Sequence, residues 1–201
     1  MLRLSYTLLA PIYDMIVASP TESSRKINLQ HLSDYTQRNV LINGIGSGLD
    51  IPFLPVGPVY TGNDLTPAML RRAHKLAHKH QTLITLHQAD VMQLPYADAS
   101  FDAVVLHLIL AVVSDPTKAL RESSRVLKPG GKIFILDKFI PPHKRAIFRR
   151  AVNPFIRHIA TRTDVVFEPL LMQCNELELL ANEAAMFGGW FRLIQLQKRE
   201  A

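Results

Sequence analysis

The sequence has few of the residues that cross-link chains, bind metals or span membranes. Its 201 residues include one cysteine, Cys174, so an intrachain disulfide is excluded and a reducing compartment is expected. Cysteines and histidines nowhere have the spacing of a zinc site. No apolar run approaches the ~18 residues of a membrane span, and residues 1–10 lack a convincing signal-peptide cleavage site. We therefore expect a cytoplasmic protein without a structural metal.

The composition is that of an ordinary folded domain. Hydrophobic residues make up 48% of the chain and charged residues 20%, and a chain of this length can bury a sizeable core. We expect one domain that spans residues 1–201. The formal charge of +6 would attract lipid headgroups, anionic metabolites or nucleic acid, and it does not choose among them.

A glycine-rich loop follows the first predicted strand. Residues 40–43 are apolar or compatible with a strand, and glycines then occupy the alternate positions Gly44, Gly46 and Gly48. Such a loop lets the backbone approach a ligand closely, and a helix expected over 49–54 would direct its N-terminal amides at that ligand. A second predicted strand, 59–64, ends in an acid, Asp64, placed to bind ribose hydroxyls as in nucleotide-binding βαβ units.

Apolar or alternating runs predict the rest of the secondary structure. Further strands are expected at 83–87, 101–106, 132–137, 177–181 and 190–197. Thr66 and Pro67 mark the start of a helix that runs to about residue 79, and a helix is also expected over 25–35. The alternation of apolar and polar residues in 190–197 predicts an exposed edge strand that pairs antiparallel.

The order of these motifs resembles that of the class I S-adenosylmethionine (SAM) methyltransferases. Their first motif is V-L-E/D-x-G-x-G-x-G, and this chain has the G-x-G-x-G spacing rather than the G-x-G-x-x-G of dinucleotide enzymes. Later stretches resemble the family motifs G-x-D-x-S-x-x-M-L, G-D-A-x-x-L-P, F-D-x-V and L-K-P-G-G: they are 62–70, 88–95, 101–105 and 127–132. The matches cover about residues 40–137.

The resemblance implies a doubly wound α/β fold with a mostly parallel seven-stranded sheet and an antiparallel last strand. It implies transfer of a methyl group from SAM to a small-molecule or lipid-like acceptor. The cofactor contacts that it implies are Tyr13, Gly44, Ile45, Gly46, Ser47, Gly48, Asp64, Leu65, Met69, Asp90, Val91 and His107. Within this set, the family pattern implies that Asp90 hydrogen-bonds the adenine amino group and that the Val91 backbone amide faces the ring. An Asp after a strand also commonly caps a turn.

The chain departs from the family pattern just before the glycines. The family usually has an acid that orders the loop and the amino end of the cofactor, and here that position is Ile42. Asn43 is the next polar residue, but successive side chains of a strand point to opposite faces, so we expect it to face away from that corner.

Two polar residues are expected at strand ends where open α/β sheets bind ligands. His107 interrupts an apolar run, and a neutral imidazole there would serve as a general base, as a cofactor contact or as a buried hydrogen-bonding group. We name His107 as the candidate catalytic residue. Asp137 would orient a substrate amine or hydroxyl, or would only cap its loop.

The regions outside the motifs are predicted to cover the site. Residues 1–36 are expected to form N-terminal cap helices, because the segment 6–14, with Tyr13, resembles the A-x-x-Y-D segment of quinone-biosynthesis C-methyltransferases and bacterial phospholipid N-methyltransferases. Residues 141–173 are expected to form a helical lid. Their first part, 141–162, is basic and amphipathic, which fits a helix packed on the sheet, a peripheral membrane contact or a wall of the substrate pocket.

Other functions stay open at this level. One alternative is a phospholipid N-methyltransferase at a membrane surface, and another is a non-catalytic SAM-binding or scaffold protein, which the missing acid at Ile42 would favour. Nucleic acid is not expected as a partner, because the N/D-P-P-Y/F motif of DNA amino-methyltransferases is absent after the fourth strand. No metal is expected, since the histidines of 67–79 fit a solvated helix face. The oligomeric state is left open.

Overall fold

One seven-stranded sheet organises residues 20–140 and 165–200, which are the residues that the computed structural model describes. Its strands are β1 Asn39–Asn43, β2 Val59–Asp64, β3 Ile84–Gln88, β4 Phe101–His107, β5 Leu127–Lys138, β6 Leu177–Met186 and β7 Phe191–Lys198. They lie in the order β3-β2-β1-β4-β5-β7-β6. β7 pairs antiparallel with both of its neighbours, whereas the pairs among β1 to β5 are parallel. The expected doubly wound sheet with an antiparallel last strand is confirmed.

Helices cover both faces of the sheet. They are α1 at 20–30, α2 Pro67–His80, α3 Pro116–Val126 and α4 Phe167–Met172, with short 3₁₀-helices at His31–Tyr35, Ile51–Phe53 and Phe187–Gly189. α2 begins as expected, with Thr66 at the N-cap and Pro67 in the first turn. α3 begins where the Asp115 carboxylate accepts a hydrogen bond from the Lys118 amide at 2.9 Å.

The central strands are buried on both faces because their side chains alternate between two cores. On one face, Ile42 and Val105 pack in a cluster with α1 and α2 residues such as Leu29 and Ala73. On the opposite face, Leu41, Val104 and Ile135 pack with α3 and α4 residues; the cluster includes Leu120 and Phe167. The continuous apolar sequence of β4 follows directly from this double burial.

The topology places a crevice between β1 and β4. β1 pairs with both β2 and β4, so the chain leaves the carboxyl end of β1 toward one edge of the sheet and that of β4 toward the other. Ligands of open α/β sheets bind at this switch point. The glycine loop after β1 and His107 at the end of β4 both lie there.

The helix expected over 49–54 is wrong. Residues after the glycine loop form only the 3₁₀-helix Ile51–Phe53, which is followed by extended backbone at Leu54. Pro52 and Pro55 lack amide hydrogens, and a proline inside a helix also clashes with the preceding turn. The segment therefore cannot continue as an α-helix.

The edge position expected for the last strand is also wrong. β7 lies between β5 and β6, and β6 forms the edge. β6 continues to Met186, beyond the expected 177–181, and β5 already begins at Leu127. The expected cap segment with Tyr13 and the basic segment 141–162 lie outside the described residues. Within the described ranges, no helix combines the length and apolarity needed to cross a bilayer.

A substitution at Gly131 tests the close packing between β4 and β5. A Cβ atom at this position would lie 2.8 Å from the Asp102 carbonyl oxygen and 2.7 Å from Leu127 Cδ1. We expect Gly131→Ala to lower the free energy of unfolding by about 1–3 kcal/mol, the usual cost of overpacking, as measured by urea denaturation. Thr85→Ala, at an exposed position of β3, serves as the control and should change it by less than about 0.5 kcal/mol. Equal stability of Gly131→Ala and the unmodified protein would contradict this packing.

Candidate cofactor and acceptor site

The glycine loop is fixed to the end of β2 by backbone hydrogen bonds. The amides of Gly44 and Ile45 both donate to the Asn63 carbonyl, at 3.0 and 2.8 Å. The Gly48 amide donates to the Ile45 carbonyl at 3.0 Å and closes the turn. The Gly46 amide donates to Asp64 Oδ2 at 3.1 Å. The loop and the acid that sequence spacing paired are therefore adjacent in space.

The three glycines serve different purposes. A Cβ at Gly44 would lie 2.7 Å from Ile109 Cγ1, and one at Gly48 would lie 3.0 Å from Ala73 Cα in α2, so both permit close packing. A Cβ at Gly46 would meet nothing within 4 Å, although its φ of +57° still favours glycine. Among these three positions, Gly46 alone faces open space at the carboxyl edge of the sheet, where a ligand would approach.

Asp64 accepts hydrogen bonds both from the glycine loop and from the residue that begins α2. Its Oδ1 accepts a hydrogen bond from the Thr66 amide at 2.8 Å, and its Oδ2 accepts the bond from Gly46. Burial raises the pKa of this carboxyl group, while the two amide donors oppose the rise. Each carboxylate oxygen can accept a second hydrogen bond, so hydroxyl donors of a ligand can still be bound. Leu65 is 38% exposed and Met69 lies in the first turn of α2, so both border the same edge.

Asp90 and Val91 lie in a tight turn beside Asp64. Asp90 Oδ1 accepts from the Met92 amide at 2.8 Å, and the Asp90 carbonyl accepts from Gln93 at 2.9 Å. The turn-capping role considered for Asp90 is therefore present. Val91 is buried in the core cluster of α3 and α4. The Ala89 amide donates to the Asp64 carbonyl at 3.2 Å, which ties this turn to β2.

Two residues of α3 fix the segment that follows this turn. The Arg125 guanidinium donates to the carbonyl oxygens of Leu94 and Tyr96, at 3.0 and 2.8 Å. Glu122 accepts from the Leu94 amide at 2.8 Å and from Arg125 Nη2 at 2.9 Å. Sequence reasoning did not single out either residue, because charged residues on a helix usually face water.

His107 belongs to a buried polar network. Its Nδ1 lies 2.8 Å from Asp50 Oδ1, and its Nε2 lies 3.0 Å from Asn28 Nδ2. Arg25 Nη1 donates to the same Asp50 oxygen at 2.6 Å. The side chains of Arg25, Asp50 and His107 are 6%, 4% and 1% exposed. Both ring nitrogens of His107 are therefore engaged by buried side chains.

The network holds a buried carboxylate in its charged form. Burial alone would raise the pKa of Asp50, but His107 and Arg25 outweigh that effect and hold its pKa well below the usual value. Asp50 therefore stays ionised and binds α1, through Arg25, to the end of β4, through His107. The sequence analysis missed Asp50 and Asn28, which contact His107, and Arg25, which pairs with Asp50.

His107 would have to release one of its present partners to act as a general base. Both ring nitrogens have partners, and the side chain is almost fully buried. A general base needs a nitrogen within hydrogen-bond reach of the substrate proton. The hydrogen bonds observed are those of the buried group that the sequence left as an alternative, and the roles of general base and cofactor contact stay predictions.

Asp137 and Asn43 are also engaged in the interior. Asp137 is 1% exposed, and its two oxygens accept from the amides of Ala111 and Lys138 at 3.1 and 2.8 Å. It therefore caps the loop after β4. Asn43 Nδ2 donates to Ser123 Oγ of α3 at 3.0 Å, on the face opposite to Ile42, as expected. In the described ranges no three His, Cys, Asp or Glu side chains are grouped as a metal site would require.

Asp137 gives the protein a specific pH dependence. Burial raises its pKa to about 6, above the unfolded value of about 3.9. Because the folded state holds this proton more tightly, Asp137 lowers stability as pH rises from about 4 to about 6, with no further change above that range. The free energy of unfolding of Asp137→Asn, relative to that of the unmodified protein, should therefore rise by about 1–3 kcal/mol between pH 4 and pH 7. Urea denaturation at the two pH values measures this difference. A difference that does not vary with pH would contradict the raised pKa.

Comparisons with known proteins agree with these motifs. Residues 41–135 match a family described as a methyltransferase domain. Phosphatidylethanolamine N-methyltransferase of Cereibacter sphaeroides is 28% identical over 191 residues, which are 94% of this chain and 93% of that protein. Demethylmenaquinone methyltransferase of Deinococcus radiodurans is 36% identical over 101 residues, 50% of this chain, and the match spans 41% of that protein's length.

The fold also has solved counterparts. The crystal structure of the YcgJ protein from Bacillus subtilis superposes with a TM-score of 0.74 at 20% identity, over 90% of this chain and all of that chain. Similarity at this level of identity establishes the fold alone. The sheet order, the glycine loop with Asp64, the later motifs and the family match agree with one another. Residues 41–135 are thus similar to a methyltransferase domain, and the chain as a whole resembles the class I SAM-dependent methyltransferases in sequence and in fold.

Proposed function

We propose that this protein binds SAM and transfers its methyl group to a small-molecule or lipid-like acceptor. The observation that carries the proposal is the open space at Gly46 next to the Asp64 carboxylate. A backbone that approaches a ligand at Gly46, with an acid beside it that can accept hydroxyl hydrogen bonds, fits a ribose. The family match supports the same cofactor.

Each residue at this edge has a proposed role. The loop 44–48 would hold the cofactor by its backbone, Asp64 would accept hydrogen bonds from the ribose hydroxyls, and Asp90 Oδ2 would accept from the adenine amino group. SAM supplies a methyl group on a positively charged sulfur, which needs no further activation. Asp50, Arg25 and His107 would keep the glycine loop in place.

The proposed chemistry depends on positioning more than on acid–base catalysis. Methyl transfer by in-line displacement requires alignment of the reacting atoms and exclusion of water. Among the described residues at this edge, His107 and Asp137 both have their polar side-chain atoms engaged. This favours acceptors that need only a weak base, such as an amine or an activated carbon, over an unactivated hydroxyl.

A phospholipid amine is the second candidate acceptor. The similarity to the phosphatidylethanolamine N-methyltransferase extends over nearly the whole of both chains, whereas the match to the demethylmenaquinone methyltransferase covers half of this chain. The positive net charge of +6 would favour an anionic membrane surface. Because Ile42 stands where the family usually has an acid, a non-catalytic SAM-binding protein stays an alternative. Such a protein would bind the cofactor without turnover.

Calorimetric titration with S-adenosylhomocysteine tests the cofactor, with NAD as the comparison ligand. We expect binding of S-adenosylhomocysteine alone, and Asp64→Ala should weaken it by about 1.5–3 kcal/mol, the usual loss when a hydrogen bond to a charged group is removed. Glu178→Ala, at an exposed position of β6, is the control and should bind as the unmodified protein does. Unchanged affinity in Asp64→Ala would contradict the ribose assignment.

A second variant tests the open space in the loop. Gly46→Val should abolish S-adenosylhomocysteine binding, because the new side chain would occupy the space left by the glycine. Gly188 offers a matched control, since it also has a left-handed φ, +65°, and nothing within 4 Å of a built Cβ. Gly188→Val should lose similar stability from backbone strain, about 1–3 kcal/mol, and keep its affinity. Full binding by Gly46→Val would show that the cofactor lies elsewhere.

A further inference from the structure

Lys138 ends β5 at the carboxyl edge of the sheet, the edge that also carries the glycine loop. Along this strand, Phe134 packs in the cluster of α1 and α2, whereas Ile135 packs in the cluster of α3 and α4 together with Phe139. Side chains of a strand alternate between the two faces. Lys138 therefore lies on the Phe134 face, which is also the face of His107 and α1.

Lys138 lies farther out along the sheet than the buried network of His107. His107 pairs in register with Leu136, and Lys138 follows Leu136 by two residues. Two residues of a strand span about 7 Å, and neighbouring strands lie about 5 Å apart. The Lys138 backbone is thus one step beyond His107, on the next strand, in the direction from which a ligand would approach.

The Lys138 ammonium has no counter-ion among the described residues. The side chain is partly buried, and burial lowers the pKa of Lys138. The Asp137 carboxylate opposes that shift, but it lies on the other face and accepts from the backbone amides of Ala111 and Lys138. In residues 20–140 and 165–200 the Lys138 Nζ atom has no hydrogen-bond or ion-pair partner. A cation that is partly desolvated and unpaired is costly, and an anionic ligand group would relieve that cost.

The strand order puts Lys138 on the acceptor side of the proposed cofactor site. Asp90 follows β3, Asp64 ends β2 and the glycine loop follows β1, and these strands are neighbours in that order. A cofactor with its adenine and ribose at the two acids would therefore direct its methyl end toward β4 and β5. Lys138 is three strands away from Asp64, about 14 Å. The ribose cannot contact both residues.

We propose that Lys138 binds the phosphate group of a phosphorylated amine acceptor and thereby selects that acceptor. A lysine ammonium is a compact charge with three donors, which suits phosphate oxygens. A phosphate held at the end of β5 leaves the amine of the same molecule free to reach the methyl group over β4. The inference rests on the proposed methyl transfer, and it favours the phospholipid amine over an activated carbon as the acceptor.

Calorimetric titration with glycerophosphoethanolamine, a soluble phosphorylated amine, tests this contact on the full chain with S-adenosylhomocysteine bound. Lys138→Met should weaken binding of glycerophosphoethanolamine about tenfold, because a charge-assisted hydrogen bond is lost. It should leave the affinity for S-adenosylhomocysteine unchanged. Lys138→Arg keeps the positive charge and should keep most of the affinity. Ethanolamine, which lacks the phosphate, should bind equally to Lys138→Met and to the unmodified protein.

Lys132→Met is the matched control. Lys132 is a partly buried lysine of the same strand and, by alternation, of the same face, but it lies toward the amino edge. This variant loses the same charge and should bind glycerophosphoethanolamine as the unmodified protein does. The melting temperature of Lys138→Met should stay the same or rise, since methionine carries no charge to desolvate. A purely structural role of Lys138 would lower it.

Three results would overturn the proposal. The first is equal affinity of Lys138→Met and the unmodified protein for glycerophosphoethanolamine, including no binding by either. The second is an equal loss in Lys132→Met, which would indicate a general attraction by charge. The third is weaker S-adenosylhomocysteine binding by Lys138→Met, because the ammonium would then pair with the cofactor carboxylate.

Failure of the proposed function has a different signature. If the unmodified protein binds no S-adenosylhomocysteine, the cofactor assignment fails. Titration of glycerophosphoethanolamine in its absence still tests Lys138: a loss of affinity confined to Lys138→Met would retain the phosphate contact and reject methyl transfer.

Discussion

The pairing of the buried Asp50 carboxylate with Arg25 and His107 is the interaction on which the geometry of the candidate site depends. A charge in the interior is tolerated only with partners, and removing one partner of such a pair typically costs about 3–5 kcal/mol. Here the partners come from two distant parts of the chain, Arg25 in α1 and His107 at the end of β4. Because Asp50 follows Gly48 by two residues, the same contacts fix the glycine loop against the sheet. Stability and the shape of the loop are therefore coupled.

The position of Asp50 also bears on the residue that the family pattern lacks. Ile42 leaves the end of β1 without its usual acid, and Asn43 points to the other face, toward Ser123. His107 alternates in register with Val105, which packs in the same cluster as Ile42, so it lies on the Ile42 face. Its partner Asp50 brings a carboxylate to that corner from beyond the loop. A carboxylate is thus present near that corner despite the missing acid of the motif, and it is ion-paired there with Arg25.

Periodicity and motif spacing predicted the sheet well, since each central strand is defined by its own apolar residues. They failed where burial depends on partners far away in the sequence. On α1, Ile27 is 53% exposed whereas Arg25 and Asn28 are buried, the reverse of what these residue types usually do. The buried positions of 21–32 do follow helical spacing, so the buried face of α1 could in principle be predicted. Choosing it required knowledge that Asp50 would pair with Arg25.

The distribution of backbone strain separates the two edges of the sheet. In the described ranges the non-glycine residues with left-handed φ are Gln37, Gln81, Ala99, Leu108 and Phe187. The two glutamines and the alanine precede β1, β3 and β4, at the amino edge, and are small or polar. The two large apolar residues follow β4 and β6, at the carboxyl edge. Glycine or asparagine would occupy both of these positions at lower cost. Large apolar side chains thus occur, against local preference, at the edge where the glycine loop lies.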